Sequence, residues 1–187
     1  MIDLKPACAA MIDLLAEISD AQLTLPTPCD KYRVEDLLAH VAEVALGFAA
    51  LARKAEEPVV PTTVPRDVLA EHVRLLGLAW DEPAAWQGRT PGAGTELANE
   101  LWGRIAFTEI VVHGWDLARA IDRPFALPED TLRACLDHVA EFIPNSPVPE
   151  LWGPAVPAAD DAPLLDRIVA ITGRDPRWTA AGPGNIE

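Results

Sequence analysis

The stretch Thr95–Ala120, TELANELWGRIAFTEIVVHGWDLARA, decides how this chain folds. No proline interrupts it, and the next one is Pro124. Thr95 is placed to cap a helix, and Glu96 falls in the first turn, where a negative charge meets the positive end of the helix dipole. The spacing therefore predicts one long helix from Thr95 to Ala120, the longest in the chain. One face of it carries a conflict. Glu109 and His113 are four residues apart and so stack on the same side, together with Ile105, Val112 and Asp116. The side that takes isoleucine and valine into a core thus takes a carboxylate and an imidazole with them.

Working outward, apolar residues recur at helical spacing in five other places, separated by proline-rich connections. Residues 7–19 read as a first amphipathic helix. From Val34 to Lys54, Leu37, Val41, Val44, Phe48 and Leu51 form one stripe, with Glu35, Asp36 and Arg53 turned away from it. A third helix is expected from Arg66 to Trp80. The segment 81–94 that follows, DEPAAWQGRTPGAG, reads as a loop. A fifth helix is expected from Pro128 to Phe142, and a short one from about Pro163 to Gly173, a good left-handed cap. No segment alternates in the manner of a strand, so the expected class is all-α: a helical bundle over about 1–145 with an arm over about 146–187, all within one domain.

Composition narrows the function. The chain has 187 residues, of which 50% are hydrophobic, enough for one sizeable core. Its formal charge of −14 offers no counterpart to a phosphate backbone or an anionic lipid surface, so neither nucleic acid nor membrane is an expected partner. With no leader-like or membrane-spanning segment apparent, the expected compartment is the cytoplasm. Cys8, Cys29 and Cys135 follow neither a disulfide framework nor a zinc-ribbon spacing and are expected as reduced thiols.

Of the four histidines, His40 joins the stripe of the second helix, three residues after Leu37 and four before Val44, and so points inward. His72 lies among Leu69, Leu75 and Leu76 and reads as a core histidine or a substitute ligand. His138 follows Asp137 and is expected in solvent. Burying Glu109 alone would cost several kcal/mol or force its protonation, whereas a divalent cation would keep the carboxylate ionised and the imidazoles neutral. Spacing alone leaves a helix-surface contact between Glu109 and His113 as an open alternative.

Two segments bring in a family. Thr27-Pro-Cys29 with Val34-Glu-Asp-Leu-Leu-Ala-His40, and Thr108-Glu-Ile-Val-Val-His-Gly-Trp-Asp-Leu-Ala-Arg119, resemble the two motifs of the maleylpyruvate isomerase N-terminal-like proteins, a branch of the DinB-like four-helix bundles. The tail, Trp152-Gly-Pro-Ala-Val through Thr172-Gly-Arg-Asp-Pro176, resembles the end of an actinobacterial single-domain subgroup. The resemblance implies a four-helix bundle with additional C-terminal helices and an extended tail, and a divalent metal held by His40, Glu109 and His113. Zinc is the first choice for that donor set, with nickel or iron as alternatives. It also implies a thiol cosubstrate, mycothiol, acting on a small electrophile in S-transfer or isomerase-like chemistry. A non-catalytic metal-binding bundle serving as a binding or stress-response module is the competing class.

This sequence departs from the family pattern at Arg33, where a capping residue is usual. Arginine cannot accept from helix N–H groups, so the start of the second helix is expected to shift or fray. The resemblance implies a second, C-terminal domain in the isomerase itself, which this chain is expected to be too short to contain, so isomerase activity is the less secure part of the expectation. Asp116 and Arg119 are candidates to orient the ligands or meet a charged substrate group, with an exposed ion pair as the alternative. Glu43 reads as a rim carboxylate, an added ligand or a base. Cys29, in a proline-flanked loop beside Asp30, reads as structural, and Trp102 and Trp115 read as packing residues. Substrate and assembly state, with a homodimer one option, are not legible in the residues.

Overall fold

The computed structural model describes residues 1–56, 58–61, 63–145 and 152–180; parts of the expected arm, 146–151 and 181–187, lie outside the described residues. Among the described residues there are six α-helices: α1 (Lys5–Glu17), α2 (Val34–Arg53), α3 (Arg66–Ala79), α4 (Asn99–Ala120), α5 (Glu129–Phe142) and α6 (Leu164–Ile171). The first four form the bundle. α3 packs against both α1 and α2, and α4 also packs against both, so α1 and α2 lie on one diagonal and α3 and α4 on the other. α5 covers the outside of α4 and carries α6. Among the described residues, no helix is long and apolar enough to cross a membrane.

Packing on several sides explains the composition of α4. Eighteen of its 22 residues are buried, as expected for a helix that is apolar around most of its circumference. Two glycines allow its neighbours to approach. A Cβ on Gly103 would lie 2.8 Å from the rings of Trp80 and Trp86, and one on Gly114 would lie 2.7 Å from Phe125. The two tryptophans cannot easily give way: Trp80 Nε1 donates to the Phe48 carbonyl, Trp86 Nε1 donates to the Trp80 carbonyl, and their rings meet edge to face at 5.1 Å.

The helix boundaries correct the sequence reading in three places. α1 starts earlier than residue 7, because Pro6 lacks an N–H and is at home in a first turn. α2 starts at Val34, with no shift at Arg33. The free N–H groups of its first turn find loop carbonyls: Val34 N–H donates to Leu25, Glu35 N–H to Leu23, and Asp36 Oδ2 accepts from Arg33 N–H at 3.0 Å. Arg33 contributes by donating to the Thr24 carbonyl, which braces the same loop.

The third correction is a two-stranded ribbon, β1 (Arg89–Gly92) and β2 (Thr95–Ala98), where the sequence predicted a loop and the first turn of the long helix. Thr95 is therefore not a helix cap, and α4 begins at Asn99. The ribbon has no alternating apolar face to betray it. It turns on Ala93 and Gly94, both at positive φ, the twist that suits a two-residue hairpin loop. Its contacts are tertiary: Trp102 Nε1 donates to the Thr90 carbonyl, and Thr90 Oγ1 donates to Asn99 Oδ1, while Asn99 Nδ2 donates to the Ala85 carbonyl.

α6 ends as its following glycine predicts. Gly173 has φ +87°, and Arg174 N–H closes back on the Val169 carbonyl. A Cβ at Gly173 would lie 2.7 Å from the backbone of Gly153. That close approach sets Trp152 and Arg174 side by side, with the guanidinium over the indole at 5.5 Å.

Candidate metal centre

α2 presents His40 and α4 presents Glu109 and His113 toward the same point. Glu109 Oε2 lies 3.2 Å from His40 Nε2 and 3.1 Å from His113 Nε2, and one donor atom from each of the three residues falls within 4.8 Å of the others. Glu109 and His113 are buried, and His40 is partly open. The His40 ring is held from two sides, stacked on Tyr32 at 5.1 Å and edge-on to His113 at 4.9 Å.

A second tier fixes His113. Its Nδ1 is 2.9 Å from Asp116 Oδ2, and Asp116, fully buried, is gripped by Arg174 through Nη2 at 3.0 Å and Nε at 3.3 Å. Arg174 also donates to the Thr172 carbonyl. Since a carboxylate only accepts, the proton on Nδ1 of His113 faces Asp116, and in the neutral ring Nε2 is left as an acceptor aimed at another acceptor, Glu109. Something positive must lie between them. In the metal-free protein it is a proton: burial opposes it, but Asp116 and Glu109 prevail and hold His113 protonated up to about 9. Burial likewise pushes Glu109 up, and the two imidazoles more than reverse this, down to about 2. A divalent ion would replace that proton with a charge shared by all three groups, so the donor set fits such an ion.

The cluster forms the floor of a cavity of about 470 Å³ walled by Cys29, Lys31, Tyr32, Trp152 and Arg174. Of the other residues singled out in the sequence, Glu43 is 66% exposed and 3.7 Å from His40 Nδ1. Arg119 is not at the cluster. It lies over Trp115 and donates to the carbonyls of Pro176 and Trp178, tying down the tail. Cys29 is buried in the cavity wall, and burial raises its thiol pKa against the opposing pull of Arg174. Cys8, Cys29 and Cys135 are free thiols.

Sequence reasoning missed Tyr32, Trp152 and Arg174. Arg174 lies 58 positions beyond Asp116, and no helical period links the two.

His138 corrects another expectation. It is 3% exposed and stacked on Phe142 at 5.0 Å. Burial first and Arg104 second lower its pKa to about 4. The folded value lies below the unfolded one, so its contribution to stability is complete above the unfolded pKa and is lost as pH falls toward 4. The His138 ring resonances are expected to stay at their neutral positions down to about pH 5, roughly one unit above that value. A midpoint near the ordinary histidine value would contradict this.

The bundle and its buried triad define the class: a four-helix protein with a candidate metal centre between α2 and α4. Residues 4–75, which include His40 and end before α4, match the family model described as the mycothiol maleylpyruvate isomerase N-terminal domain. That match, over the first part of the chain, is to the family its motifs resemble. Two solved structures, of the mycothiol-dependent maleylpyruvate isomerase and a point variant of it, align at TM-score 0.54 with 18% and 17% identity. They cover 73% of this chain, which in turn spans 66% of theirs, and they share its fold. Two uncharacterized proteins from different strains of Mycobacterium tuberculosis are 27% identical over 90% of this chain and 93% of their own length.

Proposed function

We propose that this protein is a divalent-metal enzyme that joins a low-molecular-weight thiol, mycothiol, to a small electrophile. The observation that carries the reading is the convergence of His40, Glu109 and His113 at the floor of an open cavity. A metal held for structure alone would sit in a closed shell, whereas three protein ligands below a cavity leave room for a small molecule. Charge supports a thiolate in that room. With a divalent ion in place, Glu109, Asp116 and Arg174 leave one positive charge in the buried cluster, and a thiolate cancels it.

The bound ion would supply thiol acidity, keeping the sulfur deprotonated near neutral pH. The chain's own residues do the rest. Asp116 holds the His113 ring in one tautomer, Tyr32 holds His40, and Trp152 and Arg174 wall the space a thiol would enter. The sulfur lone pair forms the new C–S bond. The displaced electron pair leaves with a departing group or, in an addition, takes up the proton lost by the thiol. Zinc suits two imidazoles and a carboxylate, with nickel and iron also accommodated.

Elemental analysis combined with calorimetric titration of mycothiol, glutathione and bacillithiol tests this. One metal per chain is expected, with mycothiol heat only in the metal-loaded protein. Protein that takes up no metal and ignores all three thiols would sink the reading.

A further inference from the structure

Beneath the β1–β2 ribbon lies a second cavity, of about 220 Å³. Its walls are Val44, Phe48, Leu51, Pro91 and Trp102, and His40 forms part of both this cavity and the first. The ribbon is its roof and is firmly seated. Gly92 meets Leu51 so closely that a Cβ would stand 2.7 Å from it, and Trp102 Nε1 holds the Thr90 carbonyl at 2.8 Å. Phe48 and Trp102 meet edge to face at 6.0 Å.

Two further features give the space a chemical character. Gly47 lines it from the interior of α2, and a Cβ there would have nothing within 4 Å. Glycine weakens a helix relative to alanine, and no close packing requires it here, so what it preserves is open space. Charge is the other feature. Besides His40, the only ionisable lining residue is Glu43 at the mouth; among the described residues no lysine or arginine lines this cavity. An anion would have to shed water beside the Glu43 carboxylate, with no lysine or arginine in the lining to receive it.

We propose that this cavity takes the apolar body of the electrophile and that the substrate class is a small uncharged molecule, one aromatic ring or an aliphatic group of like size, rather than a carboxylate. An apolar cavity of about 150 Å³ holds benzene, so 220 Å³ accommodates a substituted ring. Because His40 is common to both cavities, the electrophile's reactive carbon lies next to whatever occupies the first. The assignment of this molecule as the partner of a thiol rests on the proposed function; the binding selectivity does not.

The test is therefore made without thiol, on the full chain, by ¹⁹F NMR titration with 4-fluorotoluene and its anionic counterpart 4-fluorobenzoate. The neutral probe is expected to bind, and the benzoate more weakly by about tenfold or more. Gly47→Leu fills the space and is expected to abolish toluene binding while keeping the wild-type melting temperature and metal content. Glu43→Lys, an exposed change that leaves packing alone, is expected to narrow the gap between the probes. No toluene binding to the wild type, equal or tighter benzoate binding, undiminished toluene binding in a folded Gly47→Leu, or an unchanged gap in Glu43→Lys would each overturn the proposal. A protein that binds toluene selectively yet forms no mycothiol adduct would overturn the thiol reading and leave this one standing.

Discussion

Adding zinc to metal-free wild-type protein is expected to raise its melting temperature by about 5–10 °C at a hundredfold excess over the dissociation constant, and Glu109→Ala, His40→Ala and His113→Ala are expected to lose nearly all of that gain. The magnitude follows from linkage. A ligand at that excess adds about 2.7 kcal/mol to the folded state, and a chain of this size shifts by roughly 2–4 °C per kcal/mol. The geometry decides which variants lose it. One donor atom from each residue lies within 4.8 Å of the other two, and Glu109 Oε2 stands between both imidazoles. Asp116→Asn should behave differently. It removes no ligand but loosens the His113 ring, which weakens metal affinity by about 10–100-fold while metal is still bound. Differential scanning calorimetry across a zinc series separates the two groups. Alanine variants that keep the wild-type shift would place the metal elsewhere and end the functional reading built on it.

Replacing Asp116 by alanine in the metal-free protein is expected to cost about 3–5 kcal/mol, the usual penalty for leaving the other member of a buried ion pair uncompensated. Asp116 is 0% exposed and Arg174 6%. Without the carboxylate, the guanidinium keeps, among the described residues, the Thr172 carbonyl and the face of Trp152. The double variant Asp116→Ala, Arg174→Ala should cost much less than the two single variants together, because the second change removes the stranded charge. Urea unfolding gives the free energies. The same pair joins α4 to the segment after α6, so amide exchange around residues 172–174 should quicken in the single variant before the bundle opens. Additive costs, with the exchange unaltered, would make the pair incidental.

Much of this was legible in the chain because it depends on local repetition. The stripe of Leu37, Val41 and Val44 placed α2 within one residue of its observed end, and His40 rides on that stripe. The four-residue step from Glu109 to His113 holds on any helix, whatever surrounds it. Pro163 and Gly173 bracketed α6 for equally local reasons, a proline at the entry and a left-handed residue after the exit.

What the sequence alone left open was decided by groups far apart along the chain. The β1–β2 ribbon is polar and carries a proline, and Trp102 and Asn99 hold it, so no window of sequence announces it. His138, beside Asp137, reads as a surface residue until Phe142 stacks on its ring. Arg119, with a helical period linking it to Asp116, was drawn off to the tail carbonyls, and the buried partner of Asp116 proved to be Arg174. Periodicity determines which face of a helix a side chain occupies. Which group meets it there depends on the path the rest of the chain takes, and that path is set by packing summed over the whole molecule.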